Sequence, residues 1–575
     1  MSLAEVPLLT THTNYDVVVM GGGLAGLTLA RQLLQRRPEL NLLVAEKNSH
    51  PVPEAAHKVG EATVELGAYY LSGVLGLRDH LRNTQLKKMG LRFFPSACTP
   101  PPPLSERTEV GPSIFHPGET YTLDRGRFEN DLGAMLTEQG GEFRDGCHIA
   151  SFSLDSSGHS VTLRRDDETA VVTTRWLIDA SGRRGLIKHR LKLQEDVGHG
   201  CNAAWVRLSE MIWMDKLIDY QEPKPSRAAA EQWAARVPGG ERWRSTNHLM
   251  GRGYWVWLIP LASGSISVGV VADPAYVPFE EFNTQERLWD WIHRHEPELG
   301  RALDDNRGEI QDFQMLRHYA HGCKQVFSAD RWSLTGVSGT FNDPLYSSGS
   351  NFIAIANTMI TELIMHDLAG GDITELAQAY DAFYLLIFNS SMSLWEDQYG
   401  LMGHPQAWSA KSIWDLVSYL MLPAVLYHNE CMTDLAFVGS LADEVAQFIA
   451  LNAQMQTFFK EWDRLCPGTD EARFIDTGVG LIPEHVEAVT KRLDRQQVTA
   501  KVRTNLVLAE DVARVIMSWA AARIGQPVDA ATIDPLVFTL RADGDGLNTA
   551  TGNGAAGRSD GHISEVRTAL AGLYG

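Results

Sequence analysis

Residues Gly21-Gly22-Gly23-Leu24-Ala25-Gly26 fit the pattern G-x-G-x-x-G, a spacing that brings backbone against a pyrophosphate. Each position has a task. Gly21 allows a tight turn, Gly23 lets the chain approach the phosphates, and Gly26 lets a helix pack close to a strand. A helix opening at Leu24 and Ala25 turns free N–H groups and the positive end of its dipole toward an anion. Glu46 lies 20 residues beyond Gly26, where a carboxylate accepts from ribose hydroxyls. The chemistry in view is dinucleotide binding.

That chemistry requires a strand before the glycines and a helix after them. Residues 15–20 (YDVVVM) read as a buried parallel strand, and residues 27–37 (LTLARQLLQRR) carry a helical pattern. A second apolar run, Leu40–Ala45, ends at Glu46. Strand, helix, strand and acid follow in order. The alternative, a glycine-rich turn without a ligand, does not need the other three.

Three further segments resemble the p-hydroxybenzoate hydroxylase-like flavoproteins and make the expected cofactor FAD. Asp124-Arg125-Gly126-Arg127-Phe128-Glu129 resembles the arginine segment of that group, and the resemblance makes Arg125 a flavin contact. Leu177-Ile178-Asp179-Ala180-Ser181-Gly182 resembles its second nucleotide-side motif, with Asp179 as the site residue. Trp332-Ser333-Leu334-Thr335-Gly336 leads to Asp343-Pro344, where the group closes over the ribityl chain and flavin ring, and Gly336 joins the cofactor residues. The group has G-D where this chain has Gly336-Val337, so the resemblance implies that one polar contact to the cofactor is lost and that FAD binds weakly or exchanges readily. No second glycine-rich strand–turn–helix offers a nicotinamide site. The flavin is therefore expected to be reduced elsewhere, by a separate NAD(P)H-dependent flavin reductase.

Within that fold, Trp255-Val256-Trp257-Leu258-Ile259-Pro260 matches W-x-W-x-I-P, the signature of the flavin-dependent halogenases. Strand alternation puts Trp255 and Trp257 on one face. On composition alone, such a strand reads as one burying two aromatics for packing. Lys88, with Phe93 five positions on, resembles the segment carrying the essential lysine of that family, while neighbouring Lys87 takes the usual exposed role. His57-Lys58-Val59-Gly60-Glu61-Ala62-Thr63 resembles the flavin-strap loop, with Ala62 at the cofactor. Asp343-Pro344-Leu345-Tyr346-Ser347-Ser348-Gly349 resembles the D-P-x-x-S-[ST]-G turn. By that resemblance, Ser347 lies between flavin and lysine, Ser348 and Gly349 hold halide, and Gly349 also adjoins FAD. Serine and glycine opening a helix suit an anion. Tyr346 stands where tryptophan-specific members carry a glutamate, so the resemblance favours phenol- or pyrrole-type substrates over free tryptophan.

The resemblance implies that FAD, as FADH2, with O2 and halide (chloride or bromide) makes hypohalous acid. Lys88 then directs this to an electron-rich aromatic, either free or tethered to a carrier protein. Trp255, Trp257, Ile259 and Pro260 screen the substrate from the flavin. Two other readings stay open. One is an FAD-dependent aromatic monooxygenase, which needs no Lys88. The other is a flavin- or substrate-binding protein without halogenation.

The expected fold class is α/β: an FAD-binding dinucleotide fold with an inserted β-rich substrate-side sheet and a C-terminal helical domain. Residues 1–374 form the core, with the substrate-side sheet mainly in 90–125 and 195–325. Residues 375–540 are helical and cover the substrate site, and 541–575 are a glycine-rich link and a closing helix. The chain has 575 residues, 44% hydrophobic and 21% charged, and a formal net charge of −20. That length implies more than one domain, and that charge argues against nucleic acid or an anionic membrane as partner. Six cysteines show neither C-x-x-C nor metal-ligand spacing, so no metal and a reduced, cytoplasmic setting are expected. Residues 1–14 show no signal-peptide pattern. The apolar run Leu416–Tyr427 contains Pro423 and is too short to span a bilayer. His404 and His428 read as structural rather than cavity-lining histidines.

Overall fold

The apolar run before the glycine turn forms the strand Asn14–Met20, and the helix Leu24–Arg36 follows the turn directly. The computed structural model describes residues 13–54, 60–540 and 560–570. His57–Val59 of the strap segment and 541–559 of the expected link lie outside the described residues. The chain divides into two compact units. The first comprises the segments up to Leu86, Leu123–Gly198 and Ala320–Ser391; the second comprises Lys87–Thr122, His199–Tyr319 and the chain from Met392.

The first unit is built on a seven-stranded sheet. Asn14–Met20 lies between Leu42–Ala45 and Glu168–Asp179 and runs parallel to both. Glu142–Arg144 and Trp332–Leu334 add further parallel pairs. The hairpin strands His159–Arg165 and His148–Ser153 complete one edge antiparallel. The central strands are apolar where they are buried, at Val17–Met20, Leu42–Ala45 and Trp176–Ile178, as a covered parallel sheet requires. In such sheets ligands lie at the carboxyl ends of the strands, here at Met20, Ala45, Asp179 and Leu334.

The second unit carries an eight-stranded sheet. Its strands run in the order Ile310–Leu316, Asn202–Leu208, Ile266–Ala272, Tyr254–Pro260, Thr246–Gly251, Leu91–Pro95, Glu109–Gly111, Phe474–Asp476. One face is largely aliphatic on its strands. Tyr254, Val256 and Leu258 point into a core with Val206, Val268, Val270, Trp233 and Trp291. Burial of these side chains is the main stabilising term, at about 1.5–3 kcal/mol for each large one. The strand Phe474–Asp476 falls within a region whose sequence reads as helical. It is fixed from outside itself: it pairs parallel with Glu109–Gly111, and Asp476 Oδ1 and Oδ2 accept from Ser113 N (2.8 Å) and Oγ (2.5 Å).

Helices dominate from Thr374 onward: Thr374–Met392, Pro405–Met421, Ala442–Leu465, Leu481–Val489 and Arg495–Arg523. Helix Arg495–Arg523 opens with a capping box between Asp494 and Gln497. His404 caps Pro405–Met421, its Nδ1 accepting from Ala407 N at 3.1 Å. A closing helix spans Asp560–Ala569. No helix among the described residues is long and apolar enough to cross a membrane.

Candidate functional site

The glycine turn is held by contacts only glycine permits. Gly21 has φ +124°, and a Cβ there would lie 2.3 Å from Ala180 O. Its neighbour Gly22 donates its N–H to Glu46 Oε2 at 2.8 Å, which sets Glu46 at the turn. Gly336 packs so close to Ala25 that an added Cβ would lie 2.8 Å from Ala25 Cβ. Asp179, fully buried, turns inward. It accepts from Ser181 N (3.0 Å), Ser181 Oγ (2.6 Å) and Ile187 N (2.7 Å), so its side chain shapes the turn that follows the strand. Burial raises its carboxyl above the ordinary value, against the hydrogen bonds from Ser181. Arg125 opens the helix Arg125–Glu138, and its Nη1 donates to Gly60 O at 3.2 Å, while Leu123 N donates to Glu61 O at 2.7 Å. Arg125 thus holds the described part of the strap segment, where Ala62 is buried.

The turn Asp343–Gly349 lies in the same unit. Asp343 Oδ1 accepts from Leu345 N at 2.9 Å, and Ser347 N donates to Pro344 O at 2.9 Å. Ser347 has φ +57°, a left-handed conformation that a serine adopts only at a cost of about 1–3 kcal/mol. Tyr346, Ser347, Ser348 and Gly349 are half-buried, and a Cβ at Gly349 would meet nothing within 4 Å. The helix Gly349–Leu368 starts there, with its first N–H groups unused by the helix itself. Asn357 anchors it: its Nδ2 donates to Ala25 O (3.1 Å), Thr28 Oγ1 (3.1 Å) and Tyr70 OH (3.0 Å), and its Oδ1 accepts from Thr335 at 2.6 Å. One buried amide therefore ties the helix behind Ser348 to the helix behind Gly23.

The second unit holds Lys88. It ends the strand Leu86–Lys88 and is 3% exposed, an unusual burial for lysine. Lys87 is half-buried, its Nζ 5.2 Å from the centre of the Phe115 ring. The chain runs on into Leu91–Pro95, where Phe93 pairs in register with His248 and stacks on it at 4.9 Å. His248 sits opposite Trp257, and its ring lies 5.4 Å from that of Trp255. Trp255 and Trp257 share the face as alternation requires, with rings 5.7 Å apart. Phe93, His248, Trp255, Trp257 and Trp205 thus make an aromatic face opposite the aliphatic one. Gly269 makes this possible: it lies across from both Trp205 and Trp257, and a Cβ there would lie 2.3 Å from the Trp257 ring. Ile259, at the edge, is half-buried and Pro260 is buried.

Helical residues complete this face. Trp255 Nε1 donates to Tyr399 OH at 3.0 Å, and Trp408 meets the Phe93 ring edge-on at 5.8 Å. The strand beneath Phe93 is pinned by Glu109, which is wholly buried and bonds Arg92 (2.5 Å), Arg242 (2.8 Å) and Arg236 (3.3 Å). Burial works against its charge, yet Arg92 and Arg242 hold the carboxyl below the ordinary range.

Sequence reasoning assigned no role to His248, Tyr399, Trp408, Asn357 or Glu129. Glu129 had a usable signal, since it stands one helical turn after Arg125. The others lie far along the chain from the residues they serve. Two histidines are strongly shifted. In the first unit, His321 is lowered to about 4 by burial and then by the Lys188 and Arg183 charges, with Lys188 Nζ donating to its Nδ1 at 2.7 Å. In the second, burial lowers His116 to about 4 against the pull of Asp476.

The FAD binding domain family matches residues 14–227. A flavin-dependent halogenase, chlA, of Dictyostelium discoideum is 27% identical over 449 residues, covering 72% of this chain and 72% of its own. The 1H-pyrrole-2-carbonyl-[peptidyl-carrier protein] chlorinase of Pseudomonas fluorescens is 25% identical, covering 64% of this chain and 77% of its own. Among solved structures, halogenase PltM in complex with phloroglucinol and FAD superposes with a TM-score of 0.61 at 17% identity, covering 89% of this chain and 98% of that one. The residues at the glycine turn fit such a cofactor. Gly23 leaves its backbone open, with Glu129 Oε1 3.8 Å from where a Cβ would be, and Glu46 brings a carboxylate to the turn.

Proposed function

We propose that the chain is a flavin-dependent halogenase, as relatives it resembles are named, and that it halogenates an electron-rich aromatic through Lys88. Bound as FADH2, the flavin supplies with O2 the two-electron oxidation of halide to hypohalous acid. Gly21, Gly23, Leu24, Ala25 and Gly26 hold the cofactor's pyrophosphate and Glu46 its ribose. Arg125 and Gly336 adjoin the cofactor, and Asp179 acts through the turn it shapes. Ser348 and Gly349 offer backbone N–H groups to the halide, and the left-handed Ser347 aims that turn. Lys88 binds hypohalous acid by hydrogen bond, or as a haloamine with loss of water. It holds the electrophilic halogen against the ring, and a ring proton leaves as the carbon–halogen bond forms. Positioning supplies much of the rate. Trp255, Trp257, Ile259 and Pro260 screen the arene from the flavin, and the helical segment 375–540 covers the substrate.

One observation carries this reading: a lysine only 3% exposed precedes a strand whose face is aromatic rather than aliphatic. Tyr346 in place of an acid favours arenes that need no base, namely phenols or pyrroles. A relative named for a carrier-bound pyrrole and one crystallised with phloroglucinol are consistent with that class. A separate flavin reductase supplies FADH2, and six free thiols suit a cytoplasmic setting. The test is turnover with reductase-supplied FADH2, bromide or chloride, and a panel of phenols, pyrroles and indoles, free and carrier-bound. A halogen-shifted product mass is expected. A product heavier by one oxygen, independent of halide, would make the protein a monooxygenase instead.

A further inference from the structure

Glu129 sits at the opening of the helix that follows the glycine turn. A single oxygen, Oε1, accepts from Arg125 Nη2 (2.5 Å), Arg125 Nε (3.1 Å) and Leu24 N (3.1 Å). Two of these donors form the edge of a guanidinium, and the third is the first N–H of the helix Leu24–Arg36. That is the donor set a phosphate oxygen takes. The same oxygen lies 3.8 Å from where a Cβ on Gly23 would be, and Gly23 is the glycine whose missing side chain lets a pyrophosphate approach. Glu129 is wholly buried and Arg125 nearly so, so water screens this charge poorly.

We propose that Glu129 is a built-in counter-anion of the pyrophosphate site. It holds Arg125 in place and at the same time weakens FAD binding, so that oxidised FAD leaves and FADH2 enters at each turnover. The inference rests on FAD binding at the glycine turn and not on the halogenation chemistry. An enzyme without its own nicotinamide site needs a flavin that exchanges, and a buried carboxylate beside the phosphates provides this without altering the fold.

The test is equilibrium and stopped-flow titration of the full chain with oxidised FAD, read by flavin fluorescence. Glu129→Gln keeps an acceptor oxygen for Arg125 and Leu24 but removes the charge. It should bind FAD at least about tenfold more tightly, with the gain in a slower release rate. Unchanged or weaker binding would overturn the proposal and make Glu129 a holder of Arg125 only. The wild-type protein gives a second reading that needs no variant. If the carboxylate opposes the phosphates, ADP should bind less than about tenfold better than adenosine despite two added phosphates. A gain above about 100-fold would contradict the proposal whatever the variant does.

Discussion

The nucleotide side makes its contacts with backbone, and the lysine side makes them with rings. In the first unit the groups proposed to work are backbone N–H groups, those of Leu24, Ser348 and Gly349, and the glycine turn before Leu24 has no room for a side chain at Gly21. In the second they are the faces and edges of Phe93, His248, Trp255, Trp257 and Trp408. The difference teaches how each side tolerates change. A backbone site fails when a single methyl is added at the wrong glycine. A ring-lined site degrades by degrees, as each aromatic removed leaves a void that its neighbours partly fill.

The sharpest break of the contrast is Gly21→Ala. With φ +124° and a Cβ 2.3 Å from Ala180 O, it should lower FAD affinity by more than about 100-fold in a fluorescence titration. Phe93→Ala removes a ring that is 4% exposed and should reduce unfolding free energy by about 3–4 kcal/mol in a denaturant melt. FAD affinity should stay within about threefold, since the ring belongs to the other side.

Acid should act on both sides alike, which narrows the contrast to neutral pH. His321 and His116 are each lowered to about 4. Unfolded, each takes a proton near 6.5, so the stability they contribute is complete above that pH. It is lost as pH falls from 6.5 toward 4. Both rings are partly exposed, so about 2 kcal/mol for each is the most expected. Unfolding free energy measured at pH 7, 5.5 and 4 should show the fall, and His321→Asn and His116→Asn should each flatten it. The smallest effect is Trp255→Phe. It leaves a smaller aromatic ring and loses the 3.0 Å bond to Tyr399, the bond alone being worth about 1 kcal/mol in a melt.

The same contrast explains what was legible in the sequence. A backbone site is written in consecutive residues, because glycine spacing fixes where the chain turns. Gly21 to Gly26 and Glu46 could therefore be read directly, whereas the Asp343–Gly349 turn was reached through resemblance. The pair Trp255 and Trp257 was legible for a like reason, since strand alternation alone puts them together. Their partners were not. His248 is joined to Phe93 by pairing between neighbouring strands that lie far apart in the chain, and Tyr399 and Trp408 come from a helical region whose pattern says only that one side is apolar. The strand Phe474–Asp476 is made by its partner Glu109–Gly111 and carries little signal of its own. The burial of Lys88 was reached through resemblance, as nothing in a run of two lysines says which one turns inward.

The most direct test of that division of labour is Lys88→Ala, given reductase-supplied FADH2, halide and an accepted arene, with hypohalous acid captured in parallel by a diketone trap. The expected result is loss of arene product by at least about 100-fold while the trap still becomes halogenated. Arene product at the wild-type rate, or a trap that stays unhalogenated in the variant, would contradict a flavin side that oxidises halide and a lysine side that directs it.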